Sequence, residues 1–281
     1  MPCIDGALTT ATLKLKATSD SAVLDAEVLL AFVLKKERCY LRAWSEKKLN
    51  DAQIFDFEQM LNQRIKGIPI AYLIGEREFW SREFKVTPDV LIPRPDTELL
   101  IELSLALIPE DRPYQLLDLG TGSGVIAITL AAERPNITVI ATDISLASLK
   151  IAKENAQRYH LSNLYFQQSR WFDTIKPNLF DLIVSNPPYI AENDPHLQQG
   201  DLRFEPQHAL IAKNNGLDDL SIIAASALTY LKANGTLMCE HGSQQQKAVQ
   251  GIFQQFFYES IQTHTDLSHL PRVTSGQKKC G

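Results

Sequence analysis

The first third of the chain repeats its apolar residues with the period of a helix. Ile54, Phe57, Leu61 and Ile65 fall on one face after Asn50, whose side chain can accept from first-turn N–H groups while Gln53 reaches back. The segment from Ala22 to Leu34 is apolar nearly all round, as a central helix of a small bundle would be. From Cys3 to Ile68 there is no proline, and the only glycines are Gly6 and Gly67, which favours helices over a turn-rich sheet. One stretch breaks the pattern: Leu13-Lys14-Leu15-Lys16 alternates and predicts a short strand.

The texture changes after Gly67. Pro69, Gly75, Pro88, Pro93 and Pro95 separate short runs in which Tyr72, Phe79, Trp80 and Phe84 persist, so a hairpin-like connection is expected rather than a loose linker. Beyond Pro113 strands and helices alternate. Strands are expected at Gln115–Leu119, Ile137–Ala141, Leu164–Gln167, Phe180–Val184 and Thr236–Cys239, with helices at Val125–Glu133, Leu146–Tyr159 and Leu217–Leu231. Such alternation predicts a parallel sheet wrapped by helices, with ligands at the carboxyl ends of its strands. The division that follows is a helical domain over residues 1–75, a connection over 76–95 and an α/β domain over 96–281.

Composition adds exclusions. Hydrophobic residues make up 44% and charged residues 22%, an ordinary soluble balance, and the formal net charge of −5 counsels against a nucleic-acid partner. No apolar run is long enough to span a bilayer and the N-terminal residues lack a leader pattern, so a cytoplasmic protein with no membrane contact is expected, as a monomer. Cys3, Cys39, Cys239 and Cys280 are scattered and read as free thiols, and the histidines lack ligand spacing, so no metal is expected.

Chemistry concentrates in two runs. Asp118-Leu119-Gly120-Thr121-Gly122-Ser123-Gly124 lies between a strand and a helix, where glycines let the backbone turn tightly and approach a ligand. The next strand leads to Asp143, about 20 residues on, where a carboxylate accepts from ribose hydroxyls. Alternatively Asp143 caps the following helix, a task that Ser145 can also perform. These marks indicate an adenosine-type cofactor. A dinucleotide is disfavoured, because Val125 stands where its fingerprint requires a third glycine.

The second run is Val184-Ser185-Asn186-Pro187-Pro188-Tyr189-Ile190, at the end of a strand. A planar amide or amino nitrogen is a poor nucleophile, since its lone pair is delocalised. To attack a sulfonium methyl it must be held by its N–H bonds. The Asn186 side-chain carbonyl and the Pro187 backbone carbonyl can each accept one, the Tyr189 ring can stack on the acceptor, and Pro187 and Pro188 stiffen the loop. Trp171, after the third strand, can flank an adenine or simply pack.

Over nearly its whole length the sequence resembles the bacterial release factor glutamine methyltransferases. The likeness is carried by Gly67-Ile68-Pro69-Ile70-Ala71-Tyr72-Leu73-Ile74-Gly75-Glu76-Arg77-Glu78-Phe79, by Leu91-Ile92-Pro93-Arg94-Pro95-Asp96-Thr97-Glu98 and by the two runs above. Phe204-Glu205-Pro206, Glu240-His241-Gly242 and Arg272-Val273-Thr274 also fit. The Ile-Pro-Arg-Pro-Asp-Thr-Glu run is the most specific of these, because amino-directed DNA methyltransferases share Asn-Pro-Pro-Tyr.

The resemblance implies a class I S-adenosylmethionine-dependent methyltransferase domain, Rossmann-like with about seven strands, beside a small helical N-terminal domain that helps hold the substrate. It implies cofactor contacts from Gly120, Thr121, Gly122, Ser123, Gly124, Asp143, Trp171 and Asn186, with S-adenosyl-L-homocysteine as product. It further implies that Asn186, Pro187, Pro188 and Tyr189 hold the glutamine of the Gly-Gly-Gln loop of peptide chain release factors. Competing readings are a glutamine methyltransferase acting on a ribosomal protein, an adenine-directed DNA methyltransferase, and an inactive binding module. Two positions depart from the family pattern: Arg170 replaces an expected acidic residue before Trp171, and Leu267-Ser268-His269-Leu270-Pro271 lacks a glycine expected before Arg272.

Overall fold

The computed structural model describes residues 1–177 and 180–279. It divides into two units, one of Met1–Glu76 with His196–Phe204 and one of Arg77–Pro195 with Glu205–Gly281.

The first unit is helical: Ile4–Leu15, Ala22–Leu34, Arg38–Ala43, Asp51–Ile65 and Ile70–Ile74. The helix from Asp51 opens on the reciprocal cap, with Asn50 Oδ1 accepting from Gln53 N at 2.9 Å and Gln53 Oε1 from Asn50 N at 3.1 Å. Leu13-Lys14-Leu15 is helix, not strand. Ile4, Ala11 and Leu15 are its buried positions, and that helical spacing overrides a four-residue alternation that leaves Leu13 64% exposed. Buried Asp25 accepts from Arg64 Nε at 2.7 Å, and Arg64 also reaches Asp201 at 3.2 Å, so one guanidinium ties two helices to the 196–204 segment. Breaking such a buried pair from one side typically costs about 3–5 kcal/mol.

The second unit, from Arg77 on, opens with a hairpin of β1 (Glu76–Phe79), all but its first residue, and β2 (Arg82–Lys85). Its main sheet contains β3 (Gln115–Leu119), β4 (Thr138–Asp143), β5 (Leu164–Gln168) and β6 (Phe180–Ser185). Beyond a short parallel pair, β7 (Ile190–Ala191) and β8 (Ile211–Ala212), the sheet is completed by β9 (Leu231–Glu240), β10 (Glu259–Thr265) and β11 (Pro271–Gln277). The order is β10-β11-β9-β6-β3-β4-β5, parallel from β9 to β5, with β11 and β10 antiparallel. The chain runs outward from β3 to β5 and returns on the other side of β3 as β6. That reversal opens a crevice at the carboxyl ends of β3 and β6, where such sheets bind ligands.

Helix Val125–Glu133 is buried at every position from Val125 to Ala131 and packs into the core with Leu116, Val139 and Leu182. On the other face Leu117, Ile183 and Leu237 meet Ile223, Ala227 and Phe253. The last parallel strand starts earlier than its apolar run suggests. Leu231 pairs with Phe180, Lys232–Gly235 bulge out with Asn234 at φ 61°, and Thr236 resumes pairing with Leu182. Cys3, Cys39 and Cys239 are free thiols, and Cys280 lies outside the described residues. Among the described residues no helix is long and apolar enough to cross a membrane, and no His/Cys/Asp/Glu group of three or more is placed to hold a metal.

Candidate active site

The glycine run forms the turn from β3 into helix Val125–Glu133, and Gly120, Gly122 and Gly124 take φ of 72°, 56° and 88°. These are left-handed values at which a side chain is strained. The turn is braced from beneath: Thr121 Oγ1 donates to Asp118 Oδ2 at 2.6 Å, and Thr121 N donates to Thr142 O at 2.8 Å. Asp118 is fully enclosed, which pushes its carboxyl up to about 7.

Asp143 ends β4 with one carboxylate oxygen on Gly122 N at 2.9 Å and the other on Ser145 N at 2.8 Å. Ser145, not Asp143, caps helix Leu146–Arg158, accepting from Ser148 N at 3.1 Å. Asp143 thereby fixes the glycine turn against the end of β4. Burial raises its pKa, while the N–H groups of Ser145 and Gly122 and the nearby His208 oppose the rise.

The Asn-Pro-Pro-Tyr loop leaves β6 beside this turn. Ser185 Oγ donates to Leu119 O at 2.8 Å, joining the ends of β6 and β3. Asn186 Nδ2 donates to Thr97 Oγ1 at 3.1 Å, which orients the amide. Thr97 follows Pro95 in a short 3-10 turn held by Arg272, whose guanidinium reaches Asp96 at 2.9 Å and Asp266 at 2.8 Å. The turn between β10 and β11 closes without the expected glycine because His269 takes φ 61° and Asp266 accepts from Ser268 N and Leu270 N. Arg94, in the same segment, pairs with buried Glu205, which also accepts from Ile92 N.

Tyr189 is anchored at both ends. Its hydroxyl donates to Glu240 Oε1 at 3.4 Å, and its carbonyl accepts from Gln245 Nε2 at 2.9 Å. Gly216, at φ 82°, lies under that carbonyl, and a Cβ there would come within 2.1 Å of the oxygen. Burial, reinforced by the Glu240 charge, pushes the Tyr189 phenol far above its usual range.

These elements enclose a cavity of about 1150 Å³, open mouth included, lined by Gly120, Thr121, Gly122, Ser123, Asp143, Trp171, Asn186 and Pro188. Gly124, Pro187 and Tyr189 are not among its lining residues. Trp171 sits at φ 47° and lines the cavity with Asp219, its ring 3.6 Å from where a Gly120 Cβ would stand. Arg170 and Asp219 both line the wall here, so a carboxylate is present on this side although it comes from the start of helix Asp218–Tyr230. Thr97, Arg94, His208 and Asp219 are lining residues to which the sequence assigned no role, and Glu240, Gln245 and Gly216 support the loop from behind. Their partners lie 51 to 89 positions away for Glu240, Gln245 and Thr97, so no local pattern marks them.

A parallel sheet with a glycine turn after one strand, a carboxylate ending the next and an asparagine-proline loop across the switch point defines a Rossmann-like methyltransferase. Residues 110–277 match the family described as a methyltransferase domain, and residues 6–75 the one described as the PrmC N-terminal domain. A methyltransferase from Pyrococcus furiosus shares the fold with a TM-score of 0.54 at 15% identity, over 79% of this chain and 99% of its own. The release factor glutamine methyltransferase of Aliivibrio fischeri is 46% identical over 260 residues, 92% of this chain and 91% of that one. The corresponding protein of Vibrio cholerae is 47% identical over 98% of this chain and 97% of its own length. The chain belongs to the release factor glutamine methyltransferase family and is an enzyme.

Proposed function

We propose that this enzyme methylates the side-chain amide nitrogen of the glutamine in the Gly-Gly-Gln loop of peptide chain release factors, using S-adenosylmethionine. It does so as a cytoplasmic monomer that requires neither metal nor nucleic acid. The observation that carries the reading is Asn186: its Nδ2 is engaged by Thr97 at the edge of the glycine-lined cavity, so its carbonyl oxygen is the atom left for an acceptor N–H.

The cavity suits the cofactor. A Cβ on Gly122 would meet no protein atom within 4 Å, so beside its left-handed backbone there is open cavity in which a cofactor can approach the chain closely. Asp143 receives the ribose hydroxyls, Gly120 to Gly124 form the turn against the cofactor, and Trp171 flanks the adenine. S-adenosylmethionine supplies an electrophilic methyl on a sulfonium. The Asn186 side chain and the Pro187 backbone carbonyl each accept one N–H of the substrate amide, and Tyr189, clamped by Glu240 and Gln245, supports its plane. No general base is needed before attack, because the amide proton becomes acidic only once the nitrogen is alkylated. Positioning lowers the barrier.

Single-turnover transfer to release factor tests this. Asn186→Ala removes the acceptor and is expected to lose about 2–4 kcal/mol of transition-state stabilisation with the fold and cofactor affinity retained. Asn186→Asp keeps an acceptor but adds a charge that favours the cationic ground state over a transition state in which the charge disperses, so it also loses most turnover. Near-normal transfer by Asn186→Ala would sink the reading.

A further inference from the structure

The turn after helix Arg38–Ala43 holds its larger side chains outward. Leu41 and Leu49, 1% and 2% exposed, fix the segment to the core of the helical unit, and the carbonyls of Ser45 and Lys47 accept from Asp5 N and Ile4 N at 3.0 Å each. Between those anchors Trp44 is left 58% exposed, its ring tilted against Tyr40 at a centroid distance of 6.1 Å. Tyr40 is itself flanked by cations. Lys36 Nζ and Lys47 Nζ each stand 5.6 Å from its ring centroid, and Lys47 also donates to the Tyr40 hydroxyl at 2.9 Å. An open groove of about 870 Å³ is lined here by Tyr40, Ala43, Trp44, Ser45, Glu46 and Lys47.

The charge of this segment opposes that of the chain. Residues 35–48 carry Lys35, Lys36, Arg38, Arg42, Lys47 and Lys48 against Glu37 and Glu46, in a protein of net charge −5. Glu27 answers the two arginines, Arg38 at 2.5 Å and Arg42 at 3.7 Å. The four lysines have no carboxylate partner among the described residues. Two ammonium groups drawn to one ring repel each other, an anion set between them relieves that repulsion, and the exposed indole beside them offers apolar contact.

We propose that this groove docks an acidic segment of the protein substrate, with carboxylates on Lys36 and Lys47 and an apolar side chain against Trp44. The inference rests on the release-factor reading above and adds to it a contact that sets affinity rather than chemistry. A nucleic acid fits less well. Both lysines already occupy Tyr40, so its ring is no platform for a stacked base, and Glu46 in the groove wall repels a phosphate but can accept a peptide N–H. The negative balance of the rest of the chain acts the same way, since a long polyanion reaches beyond the patch and a short acidic segment does not.

The test is steady-state methylation of intact release factor by the full chain, with Lys36→Glu and Lys47→Glu combined. KM for release factor is expected to rise about tenfold or more, with kcat and the calorimetric affinity for S-adenosylhomocysteine within about twofold, because these charges act on encounter and docking. Lys36→Arg with Lys47→Arg should keep the native KM, and Trp44→Ala should raise it about threefold with the charges intact. Lys14→Glu with Lys16→Glu, at the far end of helix Ile4–Leu15, should leave it within about twofold. Polyglutamate should compete with release factor for the native enzyme and not for the reversed variant. A native KM in the reversed variant, or an equal rise from the Lys14 and Lys16 pair, would overturn the proposal. So would binding of a single-stranded RNA oligonucleotide or of phosphatidylglycerol vesicles that the reversal abolishes while KM for release factor stays unchanged. If the reversed variant does not fold, Lys36→Gln with Lys47→Gln decides by the same outcomes. A native enzyme that transfers no methyl to release factor discards the function and this inference with it, whereas normal native transfer with an unaffected reversed variant discards only the docking site.

Discussion

Gly122 and Gly124 stand two residues apart at left-handed φ, yet their surroundings differ. A Cβ on Gly124 would lie 2.7 Å from Ile128 Cδ1, 3.1 Å from Ala152 Cβ and 3.3 Å from Ala152 Cα, where helix Leu146–Arg158 crosses behind the turn. Gly124→Ala therefore carries a backbone penalty of about 1–2 kcal/mol and an overpacking penalty of about 1–3 kcal/mol, together about 2–5 kcal/mol of lost stability. Gly122→Ala, with nothing within 4 Å, carries only the backbone penalty of about 1–2 kcal/mol. Its methyl, however, enters the cavity wall, and the affinity for S-adenosylhomocysteine should fall about tenfold or more, because the backbone can no longer approach the ligand closely. Urea unfolding measures the first quantity and calorimetric titration the second. Equal stability losses in the two variants, or full ligand affinity in Gly122→Ala, would refute the division of labour between packing and binding.

Asp143→Ala removes both the ribose acceptor and the brace on Gly122, so calorimetry should show cofactor binding weaker by about 1–3 kcal/mol; unchanged affinity contradicts it. Asn50→Ala breaks the reciprocal cap and should cost about 1 kcal/mol in urea unfolding, with activity on release factor retained at low temperature. Asp118 has a folded pKa raised from 3.8 to about 7, so its contribution is full below about pH 4 and is lost as pH rises toward 7. Asp118→Asn should accordingly gain stability relative to the native chain between pH 4 and pH 7, then level off. A pH-independent difference in unfolding free energy would count against the buried, protonated state.

Much of the fold was legible because its signals are local. Gln115–Leu119 and Val125–Glu133 were bounded by the glycine turn between them, and the cap at Asn50 needed only residues three apart. The alternation at Leu13–Lys16 misled because four residues do not separate a period of two from a helix end. The start of β9 was hidden by the polar Lys232–Gly235 bulge, which the pairing of Leu231 with Phe180 determines. At the site, the glycine run, Asp143 and Asn186 could be read from spacing and chain order. What holds Asn186 and Tyr189 in place could not, because Thr97, Glu240, Gln245 and Gly216 arrive from distant segments through the sheet order.

The full chain is incubated with isotopically labelled S-adenosylmethionine and, separately, with unmethylated release factor, ribosomal protein and DNA, and the labelled product is digested and sequenced by mass spectrometry. One methyl on the glutamine of the Gly-Gly-Gln loop, absent when Asn186→Ala replaces the native enzyme, is the predicted result. Label in ribosomal protein or DNA with none in release factor would contradict the account.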